Sequence, residues 1–212
     1  MPRRRRSEVK RASDDRQLVI PGVSTEITPF GCIVADPPWP FKDKLPGKGR
    51  GAVKHYQILT IPEIIDLPML DGLPMRSSKT IQADAYLLLW RVASMQREAL
   101  DVAEGWGFTV KSEIVWRKLT STGKRHFGMG HHVRAEHEIT LLCTRGSPKP
   151  LNRSTRSVFD AEASREHSRK PDAFLELVET TFPGPYLEVF ARRRREGWAA
   201  IGDELPDEDP AA

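Results

Sequence analysis

Four consecutive residues, Asp36-Pro37-Pro38-Trp39, carry the clearest chemical signal in this 212-residue sequence. They follow a short apolar run, Gly31-Cys32-Ile33-Val34-Ala35, that reads as a buried strand ending at Asp36. Two prolines fix their φ angles and lack N–H groups, so the backbone leaves the sheet as a stiff extended arm. Such an arm aims two pure acceptors, the Asp36 carboxylate and the Pro37 carbonyl, into whatever cleft lies beyond the strand. Trp39 is expected to add an aromatic wall. Two acceptors beside a flat apolar face suit an exocyclic amine on a planar ring, whose two N–H groups each need a partner. The plainer alternative is a turn that ends a strand and packs a tryptophan.

A second signal is electrostatic. The chain has 33 Lys+Arg against 29 Asp+Glu, a net charge of +4. Residues 1–16 hold seven basic and three acidic side chains, which accounts for that whole excess. This arm suits either a solubilising tail or nonspecific phosphate binding, and the acidic 205–212 end reads as a solvated tail. Inside the body, residues 111–153 carry nine Lys/Arg against Glu113, Glu136 and Glu138, mixed with Trp116, Phe127, His126, His131 and His132. Cations interleaved with flat rings suit a surface that holds phosphates and stacks on bases; a solvated loop is the alternative. Lys124, Arg125, His131 and Arg134 are the candidate contacts in a target-binding loop over 117–136.

Some of these groups need a scaffold that brings distant positions together. Near-continuous apolar runs at 31–36, 85–90, 112–117, 139–144, 187–191 and 198–201 read as strands. Amphipathic stretches lie between them. Thr60 with Pro62 predicts a short capped helix, Ser94 a second whose Met95, Ala99, Val102, Ala103 and Trp106 share a stripe, and Pro171 a third carrying Phe174, Leu175, Val178 and Phe182. Gly105 and Gly107 close the second helix, and Pro183-Gly184-Pro185 the third. The pattern predicts an α/β fold with a mostly parallel sheet covered on both faces. Ligands of such sheets bind beyond the carboxyl ends of the strands, where Asp36 stands.

Taken in order, these landmarks resemble the MT-A family, named for the seventy-kilodalton adenosine methyltransferase and typified by Asp-Pro-Pro-Trp adenine N6-methyltransferases. The resemblance runs through Ala35-Asp36-Pro37-Pro38-Trp39, Leu88-Leu89-Trp90, Glu113-Ile114-Val115-Trp116, and His137-Glu138 leading to Arg145-Gly146. It continues in Ser168-Arg169-Lys170-Pro171-Asp172, Leu187-Glu188-Val189-Phe190-Ala191-Arg192, and Gly197-Trp198 through Gly202-Asp203-Glu204. It covers about Cys32 to Glu204.

The resemblance implies a Rossmann-like methyltransferase fold with permuted, beta-class motif order and S-adenosylmethionine as methyl donor. It assigns catalysis to Asp36, Pro37, Pro38 and Trp39. The donor would be held by Asp36, Ser168, Lys170, Glu188, Arg192, Arg194, Asp203 and Glu204, with Lys170 neutralising its methionine carboxylate. Tyr56 and Glu138 would stand near the target base. The sequence departs from better-known members at Asp203-Glu204, where they carry an amide pair, and at Arg194, where they carry a histidine. The implied reaction is methyl transfer to the N6 amine of adenine in nucleic acid, with DNA expected as substrate. RNA, or a silent nucleic-acid-binding subunit of a heterodimer, is the alternative, and homo- or heterodimers are open. A target base must be single-stranded or flipped to reach such a pocket.

Several classes fall away. No apolar run approaches the roughly 20 residues of a membrane span, and no hydrophobic stretch follows the basic start, so neither a membrane nor a secretory signal is expected. Cys32 and Cys143 sit in apolar segments, which fits reduced core thiols in a cytoplasmic, one-domain protein (17–204). The Gly47-Lys48-Gly49-Arg50-Gly51 stretch lacks P-loop spacing, which argues against nucleotide hydrolysis, and no Gly-X-Gly follows Leu187–Ala191. The histidines at 126, 131, 132 and 137 match no structural metal spacing and have no neighbouring cysteine, so no metal is expected.

Overall fold

Alternation within β1 (Phe30–Ala35) decides how the chain layers. Ile33 and Ala35 enter one apolar cluster, Cys32 and Val34 another. The longer β2 (Ile81–Arg91) repeats the pattern, with Leu87 and Leu89 on the first face and Tyr86, Leu88 and Trp90 on the second. A strand buried on both faces needs cover on both. The computed structural model, which describes residues 28–40, 58–67, 74–128, 132–164 and 169–206, supplies it.

The first face is covered by α1 (Ile61–Ile65) and α2 (Gln96–Gly105) through Ile64, Ala99, Val102, Ala103 and the following Trp106. The second is covered by α3 (Asp172–Thr181), which buries Phe174, Leu175 and Val178. Thr60 caps α1 in a reciprocal capping box with Glu63. Gly107, at φ +82, ends α2: its N–H bonds the Glu104 carbonyl and that of Phe108 bonds Ala103. Ser94 does not cap α2. It lies in a 3-10 turn, Ala93–Met95, and the cap position falls to Met95 without a side-chain bond.

The remaining strands are β3 (Thr109–Leu119), β4 (His137–Arg145), β5 (Val158–Glu162), β6 (Tyr186–Val189) and β7 (Trp198–Ile201). They form a 7-stranded sheet in the order β5-β3-β4-β2-β1-β6-β7. β1 pairs in parallel with β2 and β6, β6 with β7, and β3 with β5. Only β4 runs against its neighbours, β2 and β3. The expected mostly parallel, doubly covered sheet is therefore observed.

Two local expectations differ. β6 stops at Val189, because Phe190 adopts φ +64 and turns the chain out of the sheet. β5 was not expected: it is an edge strand whose exposed Val158, Asp160 and Glu162 dilute the apolar signal. The carboxyl ends of β1, β2, β3 and β6 share one edge, and β4 begins there. Both cysteines are buried and unpaired, and burial pushes the Cys143 thiol up to about 12. No helix among the described residues is long and apolar enough to cross a membrane.

Trp106 is fully buried and its indole N–H donates to the Ile64 carbonyl at 3.1 Å, tying α1 to α2. Trp106→Ala should lower unfolding free energy by about 3–5 kcal/mol in urea titrations. A loss below about 1 kcal/mol would mean that this side of the core is not organised around it.

Candidate active site

Asp36 is the first residue beyond β1, and the arm after it is held from both ends. The Pro37 carbonyl accepts the Trp39 N–H at 2.8 Å, a tight turn around Pro38, and the Pro38 carbonyl accepts the Leu59 N–H at 3.3 Å. Trp39 donates its indole N–H to the Trp90 carbonyl at 3.0 Å. Its ring is only 3% exposed and packs in the first-face core. Trp39 is thus an anchor, and the expected aromatic wall is corrected: that wall is built by Trp90, Phe174 and Phe190. The packed tryptophan of the plainer alternative is real, and it coexists with a carboxylate turned to the cleft.

Asp36 faces Lys170 across 134 positions of chain, Nζ to Oδ2 at 2.6 Å. Lys170 precedes α3, and its Nζ also lies 3.3 Å from Glu138 Oε2 and 5.2 Å from the centre of the Trp90 ring. Burial pushes the Lys170 ammonium down, but Asp36 and Glu138 outweigh it and hold it above the ordinary lysine value. Burial likewise pulls Glu138 up, and Lys170 with Lys118 holds it below the usual carboxylate range. Lys118 Nζ is 2.5 Å from Glu138 Oε1. The four side chains alternate in charge, so no member is a lone buried ion.

Beside this chain lies a cavity of about 360 Å³, lined by Asp36, Lys170, Glu188, Arg192 and Glu204 among others. Five of the expected donor-binding positions therefore converge. Arg192 and Glu204 pair across it at 3.7 Å. Gly202 permits that closure: a Cβ there would meet the Ala191 carbonyl oxygen at 2.1 Å. Two expectations are corrected. Arg194 and Asp203 are exposed and do not line the cavity; the turn after Phe190 brings Arg193 to it instead, where Arg193 pairs with Asp172. An unbroken arginine run does not reveal which member faces inward. Ser168, Tyr56, His131, the basic arm, the Gly47–Gly51 stretch and most of the acidic tail lie outside the described residues.

Lys124, Arg125 and Arg134 are exposed on the β3–β4 connection, away from the cavity lining. The connection begins as a tight turn: Thr120 N–H bonds the Lys124 carbonyl and His126 N–H bonds Lys118. Phe127 and Val133 project from it at 59% and 76% exposure. Lys118 and Arg193 are absent from the expected site residues, and Trp90, a landmark of the resemblance, carries no expected site role. The spacing Trp116-X-Lys118, two positions on one strand face, was the available signal for Lys118.

The model of the MT-A70 family matches residues 30–204. The chain belongs to the MT-A70 family. Among its relatives, an Arabidopsis thaliana N(6)-adenosine-methyltransferase MT-A70-like protein is 30% identical over 184 residues, covering 83% of this chain and 24% of the relative. The catalytic subunit METTL3 of the Homo sapiens N(6)-adenosine-methyltransferase is 27% identical over 186 residues, covering 83% and 28%. The N6-methyladenosine RNA methyltransferase MTA1 of Pyricularia oryzae is 28% identical over 185 residues, covering 83% and 47%. The chain spans about a quarter of the first two relatives' length.

The α/β sheet is the Rossmann-like fold of this methyltransferase family. S-adenosylmethionine is a zwitterion with a cationic sulfur and an aromatic nucleoside. The cavity offers both signs of charge and three aromatic rings, within the ~300–1,000 Å³ usual for small-molecule sites. Glu188, on β6, has no hydrogen-bond or ion-pair partner among the described residues, as an acceptor awaiting a ligand's donors would. The residues fit that donor.

Burial raises Glu188 from an ordinary 4.5 to about 7; Arg193 and Arg195 oppose the shift and Asp36 adds to it. A carboxyl raised by folding leaves stability intact below its unfolded value. It then erodes stability as pH climbs to the folded value, with the loss complete above about 7. Glu188→Gln should therefore gain on wild type by up to about 3 kcal/mol between pH 4 and pH 8 in urea unfolding. An equal difference at both pH values would contradict the assigned burial.

Proposed function

We propose that this protein transfers a methyl group from S-adenosylmethionine to the N6 amine of adenine in nucleic acid, with RNA preferred over DNA. The observation that carries the reading is the Asp36 carboxylate, fixed at the cavity rim with one oxygen on Lys170 and the other, Oδ1, without a partner among the described residues. The preference for RNA, against the DNA expected from the sequence alone, rests on relatives named as adenosine and RNA methyltransferases.

When bound, the donor supplies an electrophilic methyl group on a positively charged sulfur. Asp36 Oδ1 and the second lone pair of the Pro37 carbonyl accept the two N–H groups of the adenine amine. That grip favours a pyramidal nitrogen whose lone pair is aimed at the methyl carbon, since the free amine's pair is delocalised into the ring. With the donor bound, formation of the N–C bond would be matched by loss of the methyl–sulfur bond, the sulfur leaving as a neutral thioether. The Asp36 carboxylate would stabilise the positive nitrogen and take up the proton it must lose. Alignment of this kind can contribute on the order of 7–11 kcal/mol. Lys170, Arg192 and Glu188 are the donor's partners, Glu204 closes the cavity over it, and Lys124, Arg125 and Arg134 hold the polynucleotide backbone. Exposed Phe127 offers a base a stacking face.

Labelled-methyl transfer to RNA and DNA oligonucleotides of one adenine-containing sequence tests this. RNA should be the better acceptor, and Asp36→Asn should lose at least about a hundred-fold in kcat. Transfer to neither polymer, despite donor binding, would mean a silent subunit and overturn the reading; full activity of Asp36→Asn would overturn the mechanism.

Charge reversal of Lys124 and Arg125 should weaken RNA binding and flatten its salt dependence by about two counterions. An unaltered salt slope would remove the β3–β4 connection from the binding surface.

A further inference from the structure

The charge chain does not end at the groups that line the cavity. Glu138 uses its oxygens on two different cations, Oε2 on Lys170 at 3.3 Å and Oε1 on Lys118 at 2.5 Å. Lys118 does not line the cavity, and the reaction described above gives it no task. We propose that Lys118 is a positioning residue for the Asp36 carboxylate, acting by holding one Glu138 oxygen so that Lys170 is left seated on Asp36. This rests on the reading of Asp36 as the acceptor of the adenine amine.

The seat of Lys118 is built. Trp116 and Lys118 share one face of β3, and Trp116 stands directly opposite Glu138 on β4. The Lys118 backbone N–H bonds the Glu136 carbonyl at 2.8 Å, fixing the strand where the connection begins. Lys118 Nζ lies 5.1 Å from the Trp116 ring centre, as Lys170 Nζ lies 5.2 Å from that of Trp90. The two rings meet edge to face at 6.4 Å, and Trp116 is pinned by its indole N–H on the Ala161 carbonyl. Each ammonium thus has its own aromatic floor and its own share of the carboxylates.

Charge balance supplies the reason. With Lys118 present, two cations serve Glu138 and Asp36. Without it, both carboxylates compete for Lys170 alone, and Glu138 can turn two oxygens on the ammonium. Lys170 is then drawn off the 2.6 Å contact, and Asp36 shifts with it. Among the described residues, the charged groups facing this point are Asp36 after β1, Lys118 on β3, Glu138 on β4, Lys170 before α3 and Glu188 on β6. The side chains are only 17–29% exposed at Lys118, Glu138, Lys170 and Asp36, so solvent replaces a lost partner poorly.

Two variants test this, Lys118→Met and Lys118→Arg, each read in two ways. Carboxyl-observed NMR titration of the free protein should show Glu138 binding its proton roughly ten-fold more tightly in Lys118→Met, with Lys118→Arg near wild type. Single-turnover methyl transfer should fall roughly ten-fold in Lys118→Met, with KM for the donor within about two-fold and recovery in Lys118→Arg. Unchanged titration and rate in Lys118→Met would overturn the proposal. So would a loss shared equally by Lys118→Arg, or one tracked by falling thermal stability, since those mark a merely structural lysine. A wild-type protein without transferase activity would overturn the function proposed above, and the titration would then judge the Lys118 linkage by itself.

Discussion

The bridge from Lys170 to Asp36 is the interaction on which the rest of the site depends. It joins the end of β1 to the start of α3, so two segments far apart in the chain meet at one ammonium. A carboxylate at a strand end would ordinarily be solvated and free to rotate. Here one oxygen is held at 2.6 Å and the backbone behind it is stiffened by two prolines. The Trp39 indole then fastens the arm to the end of β2. Position is therefore set by rigid elements on both sides.

Charge around the cavity is partitioned between groups that satisfy each other and one that does not. Asp36, Lys170, Glu138 and Lys118 form a neutral alternating row, Arg193 is matched by Asp172, and Arg195 and Trp198 by Glu179. Glu188 stands apart as a desolvated carboxyl raised to about 7. Among the described residues the neighbouring buried ions are matched, and an acceptor left without a donor beside them is a place where a ligand's donors fit.

Much of this was legible in the sequence because the signals were local. The all-apolar β1, the Pro-Pro break after Asp36, the Thr60 cap and the α3 stripe each follow from propensity or period over a few residues. Family resemblance joined the distant parts, and Asp36, Lys170, Glu188, Arg192 and Glu204 do meet at one cavity. What was not legible depends on side-chain direction after irregular backbone. Phe190 in a left-handed conformation rotates the arginine run, so Arg193 rather than Arg194 faces inward. Trp39 sits in the core because its indole finds a carbonyl on a neighbouring strand, a contact 51 positions away. The β5 edge strand carries too little apolar pattern to announce itself.

The one reversed strand has an architectural consequence. Because β4 runs backward, it enters the sheet at the rim where the others leave, and its second residue delivers Glu138 to the row of charges. The connection that feeds it is held at its two ends, by the β3–β4 pairing and by the Lys118 N–H on the Glu136 carbonyl. A single inverted strand thus lets residue 138 meet groups that arrive from positions 36 and 170.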